Sequence, residues 1–390
     1  MADALHRIHL TRERADAPAA ALIRFLDPAT RAPKRIASVL FVTETERRIH
    51  APLRGDEIVE VLASDPDASF AARIARLDPL RRFYHAARLA RGALRPPVRS
   101  PLAAPPHPPR FARPDPAPTV SLIIATRDRA DLLARAIDTA FARAAYPTKE
   151  LVVVDNGSVE RATADLLAHI ARAHAAQILR RDVPFNFARL MNEAARAAGG
   201  DILVFLNNDI EALDPAWLDP LVALVAQPDI GAVGAKLLYP TGAVQHAGIV
   251  LGMGGLVGHA GRGLPSTARG PHDMLCTVRD VSAVTGACLA MRRDALARVG
   301  GFDERFAVEC NDVDLCLRLR AAGLRVVWTP WPTLIHKEGA TRGRDSTQSP
   351  QVIEDRTLFF RRWRAALAVD PFFPATLSRR DETLPVDSED

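Results

Sequence analysis

The feature that most constrains the fold is a rhythm in residues 119–206, where short, wholly apolar runs alternate with helix-length stretches. Runs at 120–125, 150–154, 176–180 and 201–206 read as strands, and 131–143, 160–173 and 186–198 read as helices. A strand that is apolar on both faces must be covered on both faces, and strands separated by helices pair in parallel. The expected class is therefore α/β, with a mostly parallel central sheet between two layers of helices.

Such sheets bind ligands beyond the carboxyl ends of their strands. The residues that fall there are Thr126-Arg127-Asp128, Asp155-Asn156-Gly157-Ser158 and Asn207-Asn208-Asp209. One aspartate in such a place starts a turn or caps a helix, as Asp214 before Pro215 is expected to do. Three polar strand ends in register point to a site. A carboxylate such as Asp209 can hold a hard divalent cation that in turn binds diphosphate oxygens. Asp155, at a neighbouring strand end, can accept hydrogen bonds from a base or ribose.

A second set of candidates comes later in the chain. In VECNDVDLCLRLRAAG, residues 308–323, Asn311 or Asp312 opens a helix. A carboxylate at a helix N-terminus is held ionised by the dipole, which suits a group that must accept a proton. His336 follows a short apolar strand in WTPWPTLIHKEGATRG, residues 328–343, where an imidazole can ligate a metal or contact phosphate. The Gly-rich stretch 242–263 lacks the G-x-G-x-x-G spacing, so a dinucleotide site is not expected there.

Composition removes other classes. With 390 residues, 48% hydrophobic and 25% charged, the chain is long enough for about two or three globular domains and too apolar to be disordered. Its four cysteines contain no C-x-x-C pair, so neither structural zinc nor a redox motif is expected. The formal charge of +5 is uneven, because residues 1–118 carry +7 and the remainder −2. That is a poor match to a nucleic-acid binder, and none is expected as a partner. The N-terminus lacks the apolar stretch of a signal peptide, and the longest run free of charged residues, 237–261, is interrupted by Pro240, two histidines and glycines. A cytoplasmic protein is expected, with the option of lying on the inner face of the membrane.

The domain boundaries follow from composition. Residues 1–95 read as a small basic α+β domain with strands at 21–26, 38–43 and 57–62 and a helix over 69–91. Residues 96–118 are a Pro-rich linker, 119–345 the α/β domain, and 346–390 a C-terminal helix and acidic tail, the last ten residues of which are expected to be disordered. Within 70–94 six arginines surround an apolar stripe; such a helix either packs on the preceding strands or contacts anionic lipid.

The segments SLIIATRDRADLL, VVVDNGS, FLNNDIEAL, TGACLAMRR, GGFDERF, NDVDLCLRL and HKEGATRG occur in this order. Together they resemble the catalytic domain of glycosyltransferase family 2, a GT-A fold, of the type that assembles bacterial O-antigen and related cell-surface polysaccharides. The resemblance covers roughly residues 119–340. It implies that Thr126, Arg127, Asp128, Asp155, Asn192, Asn207, Asn208 and Asp209 bind a nucleotide-diphosphate sugar, UDP- or dTDP-linked. It implies a divalent cation, Mg²⁺ or Mn²⁺, held by Asp209 and His336. Asp209 takes the last place of an acidic motif whose first carboxylate is here replaced by Asn207. Asp312 matches the family's base, with Asn311 in place of the preceding Glu. Gly286, Ala287 and His246, with His259, fall on the side of a glycan or lipid-linked acceptor. The implied reaction inverts the anomeric centre. Two other classes stay open. A sugar-phosphate nucleotidylyltransferase would need a Gly-rich loop after the first strand, and 125–129 has no glycine. A non-catalytic sugar-binding module is made conceivable by Asn207 and Asn311.

Overall fold

The computed structural model describes residues 111–339 and 349–384 and, before them, the backbone of six strands. These are β1 (Ala4–Arg12), β2 (Ala19–Leu26), β3 (Pro33–Phe41), β4 (Glu46–Leu53), β5 (Ile58–Ala63) and β6 (Phe70–Arg76). They form two three-stranded antiparallel sheets, ordered β4-β1-β6 and β3-β2-β5. The expected helix over 69–91 is thus corrected at its start: 70–76 is a strand. Over seven residues the two periods are hard to separate. Pairing on β1, which sets Ile74 opposite Ile8 with Ile49 beyond it, decides the outcome. Residues 77–110, with the rest of the basic stretch, lie outside the described residues.

From Val120 the expected rhythm appears. The strands are β7 (Val120–Thr126), β8 (Lys149–Asp155), β9 (Gln177–Arg180) and β10 (Ile202–Asn207). Between them run α1 (Ala130–Ala136), extended by a π-helical turn, α2 (Arg161–Ala173) and α3 (Phe187–Ala197). The four strands pair in parallel in the order β10-β7-β8-β9. Alternate side chains separate into two cores. Leu122, Ile124, Val153 and Val204 pack with α1 and α2 on one face, while Ile123, Val152, Leu203 and Phe205 pack with α3 on the other.

The rest of the chain widens this sheet. It continues through β11 (Ile210–Ala212), α4 (Leu218–Val225), β12 (Ile230–Leu238), β13 (Val244–His246), β14 (Ile249–Leu251), β15 (Val257–His259), β16 (Arg279–Asp280), β17 (Cys288–Arg292), α5 (Arg293–Arg298), α6 (Asn311–Ala321), β18 (Arg325–His336) and α7 (Pro350–Ala368). The full sheet has ten strands, with the path β11-β18-β12-β17-β10-β7-β8-β9. Strand β17 is antiparallel to both its neighbours, β10 and β12, whereas β12 and β18 run parallel. This is the expected α/β class, with helices on a mixed sheet in which the antiparallel β17 lies among mostly parallel strands. Among the described residues no helix is long and apolar enough to cross a membrane.

Two loops show how the strand ends are fixed. The chain leaves β7 toward β8 on one side and returns to β10 on the other, so a crevice opens between the ends of β7 and β10. The β7 loop carries Asp128 at φ 52°, and its Oδ1 accepts from the amides of Val159 (2.8 Å) and Glu160 (2.9 Å). Asp128 therefore caps α2 from another loop, in place of a side chain on the helix itself. The acidic tail also departs from expectation. Glu382 accepts from the His259 amide at 2.6 Å, and Leu384 is buried, so part of the stretch expected to be disordered is packed. Asp128→Ala should lower stability by about 1–2 kcal/mol through loss of the cap. Chemical denaturation measures this, and a midpoint equal to that of the parent would refute the capping role.

Candidate active site

Strand register builds the first half of the site. Asn207 stands beside Ala125, Thr126 beside Asp155, and Asp155 beside Arg180, so four consecutive strands end at one level. Asn208 Nδ2 donates to Thr126 Oγ1 (3.0 Å) and so bridges the crevice between β10 and β7. Thr126, Asp155, Asn208 and Asp209 are all buried, whereas Arg127 is exposed on the loop beyond β7.

Asp155 is held rather than free. Its Oδ1 accepts from the Ser158 amide (2.9 Å) and its Oδ2 from Arg180 Nη1 (2.6 Å). Arg180 was missed by sequence reasoning, although it ends β9 and the strand-end rule applies to it equally. Its guanidinium also donates to Asp182 Oδ1 (2.8 Å) and to the Ser158 carbonyl (2.8 Å), tying the loop after β8 to β9.

The second half arrives through β18 and β17. Pairing of Ile210 with His336 sets the imidazole next to Asp209, and the Lys337 amide donates to the Asp209 carbonyl (3.1 Å). The tautomer of His336 follows from its surroundings. Gln245 Nε2 donates to Glu338 Oε2 (3.1 Å), which leaves Gln245 Oε1 to accept from His336 Nδ1 (2.9 Å). The proton is therefore on Nδ1. In the neutral ring Nε2 is then unprotonated, and it faces Asp209 Oδ1 at 3.2 Å and Asn207 Nδ2 at 3.3 Å. Asp209 Oδ1 is buried and receives no hydrogen bond.

Two lone pairs aimed at each other with no proton between them suit a cation. Turning the Asn207 amide over adds a carbonyl oxygen at the same point. Among the described residues no group of three His, Cys, Asp or Glu could hold a metal unaided. The donor set thus fits a cation whose remaining ligands come from phosphate oxygens and water.

Strand β17 lies antiparallel on β10, so the residues just before it stand above the end of β10. The Asn207 amide donates to the Ala287 carbonyl (3.1 Å), and the Gly286 amide donates to Asp312 Oδ2 (2.7 Å). Asp312 is thereby brought to the rim that carries Asn207 and Asp209. It sits in the first turn of α6, and its Oδ1 accepts from the Val313 amide (2.8 Å). Enclosure by protein pushes its pKa up, and the hydrogen bonds from Gly286 and Val313 only partly oppose this. The dipole argument made from sequence expected the opposite direction; desolvation outweighs it.

Three expected residues have other tasks. Asn192 is buried on α3; its Nδ2 donates to the Phe302 carbonyl (2.9 Å) and its Oδ1 accepts from the Phe302 amide (2.8 Å). Its amide is spent on the turn that follows α5, leaving nothing for a donor sugar. Asp128 commits one carboxylate oxygen to capping α2, as above. His246 is wholly buried, with Nδ1 2.8 Å from His259 Nδ1, and burial drives both imidazoles to low pKa, His259 to about 3. An acceptor cannot reach His246. Gly286 and Ala287 do lie at the rim, as expected.

Comparison with known proteins agrees with this geometry. Residues 121–300 match the model of Glycosyl transferase family 2. The chain is 40% identical over 265 residues to the uncharacterized protein y4gI of Sinorhizobium fredii, covering 67% of this chain and 29% of that protein. It is 45% identical over 233 residues to the O-antigen biosynthesis protein RfbC of Myxococcus xanthus, covering 59% of this chain and 18% of the relative. A third relative is the N-acetylglucosaminyl-diphospho-decaprenol L-rhamnosyltransferase of Mycobacterium tuberculosis, 31% identical over 153 residues, 37% of this chain and 50% of that enzyme. The matches thus span less than a third of the first two relatives. Residues 121–300 of the chain thus form a domain of the Glycosyl transferase family 2 type.

Proposed function

We propose that the chain transfers a sugar from a nucleotide-diphosphate donor, UDP- or dTDP-linked, to a glycan or lipid-linked acceptor during assembly of a cell-surface polysaccharide, with inversion at the anomeric carbon. The observation that supports this reading is the pair of bonds from the Asn207 amide to the Ala287 carbonyl and from the Gly286 amide to the Asp312 carboxylate, which ties Asp312 to the strand end that carries Asn207. The relatives of O-antigen and rhamnosyl transfer support the substrate class.

In this reading Thr126, Asp155 and Asn208 line the nucleotide side, with Arg180 keeping Asp155 in place. Asp209 and His336, with Asn207, hold the divalent cation, which when bound offsets the charge growing on the departing diphosphate. Asp312 accepts the proton of the acceptor hydroxyl at Oδ1 or Oδ2 as the oxygen attacks opposite the leaving group. A raised pKa makes Asp312 a better base. One base suffices, because a single displacement forms no sugar–enzyme bond. The domain division at 96–118 and 346 belongs to the same proposal: the residues that make the site all fall between 126 and 336.

Three measurements test it. Asp312→Asn keeps the shape and one acceptor oxygen for the backbone amides but removes the base. Turnover of the nucleotide sugar should fall by about 10²–10⁴-fold while donor binding persists. For the parent, kcat should drop as pH falls through the Asp312 pKa, so its acid limb should lie above the ordinary aspartate value of about 3.9. Full turnover by the variant would end the assignment. Gln245→Leu removes the group that fixes the His336 tautomer, and Mn²⁺ affinity should weaken by about 10- to 100-fold. Thermal shift against Mn²⁺ concentration reads this directly, and an unchanged titration would remove His336 from the cation site.

A further inference from the structure

We propose that Asp355, on the C-terminal helix α7, is a positioning residue for Asp312 and fixes the base through the turn that precedes it. The inference rests on the reading of Asp312 given above. Asp355 is fully buried. Its Oδ2 accepts from the amides of Val308 (2.7 Å) and Glu309 (2.8 Å), and its Oδ1 from the Ala307 amide (3.3 Å) and Gln351 Nε2 (2.9 Å). None of these four partners is a cation. A buried carboxylate satisfied by amides persists only where the backbone has been turned to meet it.

The three consecutive amides belong to the turn that leads into α6. At its end Cys310 adopts φ 61°, a left-handed conformation unfavourable for a residue with a Cβ. Asp355 is the group that makes this shape worthwhile. The Cys310 carbonyl then receives the first helical bond of α6, from the Asp314 amide (2.9 Å), so the turn sets the start of the helix. Asp312 is two residues beyond Cys310. Its bond to Gly286, at 2.7 Å, tolerates little drift of that start.

Helix α7 grips the same turn at two further points. Arg356 Nε donates to Glu309 Oε2 (2.6 Å). Arg362 Nη1 (2.6 Å) and Trp363 Nε1 (2.9 Å) both donate to the fully buried Asp314 Oδ1. The groups that face Asp312 itself are the Gly286 and Val313 amides, the Thr285 hydroxyl and the thiols of Cys310 and Cys316. Asp355 acts on it through the backbone and touches no reacting atom. All of α7 lies beyond the family-matched residues 121–300.

The test uses the full chain with Asp355→Asn, which keeps the shape but loses the charge and puts a donor against backbone amides. The donor KM should stay near the parent value, and kcat should fall by about a hundredfold, the scale of a displacement near 1 Å. The acid limb of kcat should move to lower pH, because a loosened turn admits water and relieves the desolvation that raises the Asp312 pKa. Trp217→Phe is the control. It loses the indole bond to the Ala140 carbonyl in the opposite core, so it should lower Tm and leave kcat and the acid limb in place. Arg356→Met, a milder change in the same grip, should move kcat and the limb in the same direction by less, and it serves if Asp355→Asn does not fold.

Alkylation of Cys310 under native conditions supplies a readout independent of turnover. Cys310 is buried in the parent and should become labelled in Asp355→Asn. An unmoved acid limb with kcat near the parent value, or a Cys310 as protected as before, overturns the proposal. If labelling appears but the parent turns over no nucleotide sugar, the turn is held as described and it is the transferase reading that fails.

Discussion

The site depends on where β17 sits. Four parallel strands alone would end in a crevice able to hold a nucleotide, but with no base opposite it. By entering antiparallel between β10 and β12, β17 brings its own beginning to the level at which β10 ends. Residues 285–287 therefore pass over Asn207, and Asp312 is anchored to that passage by the Gly286 amide. A parallel strand in the same slot would place its end there instead, and the residues before it at the far edge of the sheet. The strand's direction thus decides that the distant Asp312 is anchored to the segment that passes over Asn207.

The acidic residues of the domain show how one side-chain type is given different work by its surroundings. Asp128 is a helix cap, Asp155 is half of an ion pair with Arg180, and Asp314 answers Arg318, Arg362 and Trp363. Each is satisfied by donors that leave it little for chemistry. Asp312 and Asp209 differ. Asp312 meets two amides but is enclosed enough that its proton affinity rises, which suits a base. Asp209 keeps one buried oxygen without a donor. Unmet demand of this kind in a packed interior is costly and marks where a ligand is expected.

The parallel half of the fold is legible in the sequence because its signal is local. The runs at 120–125 and 201–206 are apolar on both faces, which only a covered sheet permits, and the polar residues after them fall at the strand ends. Asp209, Asp312, His336, Gly286 and Ala287 all reach the rim. The failures have a shared cause in partners distant along the chain. Nothing near Asn192 in sequence reveals that Phe302 will use both ends of its amide. His246 looks like a contact in a Gly-rich stretch, but β13 pairs with β12 inside the sheet and His246 is buried there. Arg180 was within reach, since it ends a strand as Asp155 does. Gln245 and Asp355 were not, because each matters only through a hydrogen bond to a group about 50 or more positions away. The antiparallel course of β17 is equally invisible, because TGACLAMRR is an apolar run whose direction is set by its neighbours.

The replacement of a carboxylate by Asn207 fits this arrangement physically. Two carboxylates and a phosphate chain around one cation repel one another, and each added charge must be offset by the metal. With Asn207 the protein offers one carboxylate, Asp209, and an imidazole whose Nδ1 is engaged by Gln245, itself held by Glu338. The site therefore leans on the diphosphate for more of its ligands than a two-carboxylate site would. On the proposed reading cation and donor bind as a linked pair, each raising the affinity of the other by the same factor. On that reading the hydrogen bonds that place a proton on His336 Nδ1 belong to the donor site, although none of them touches the donor.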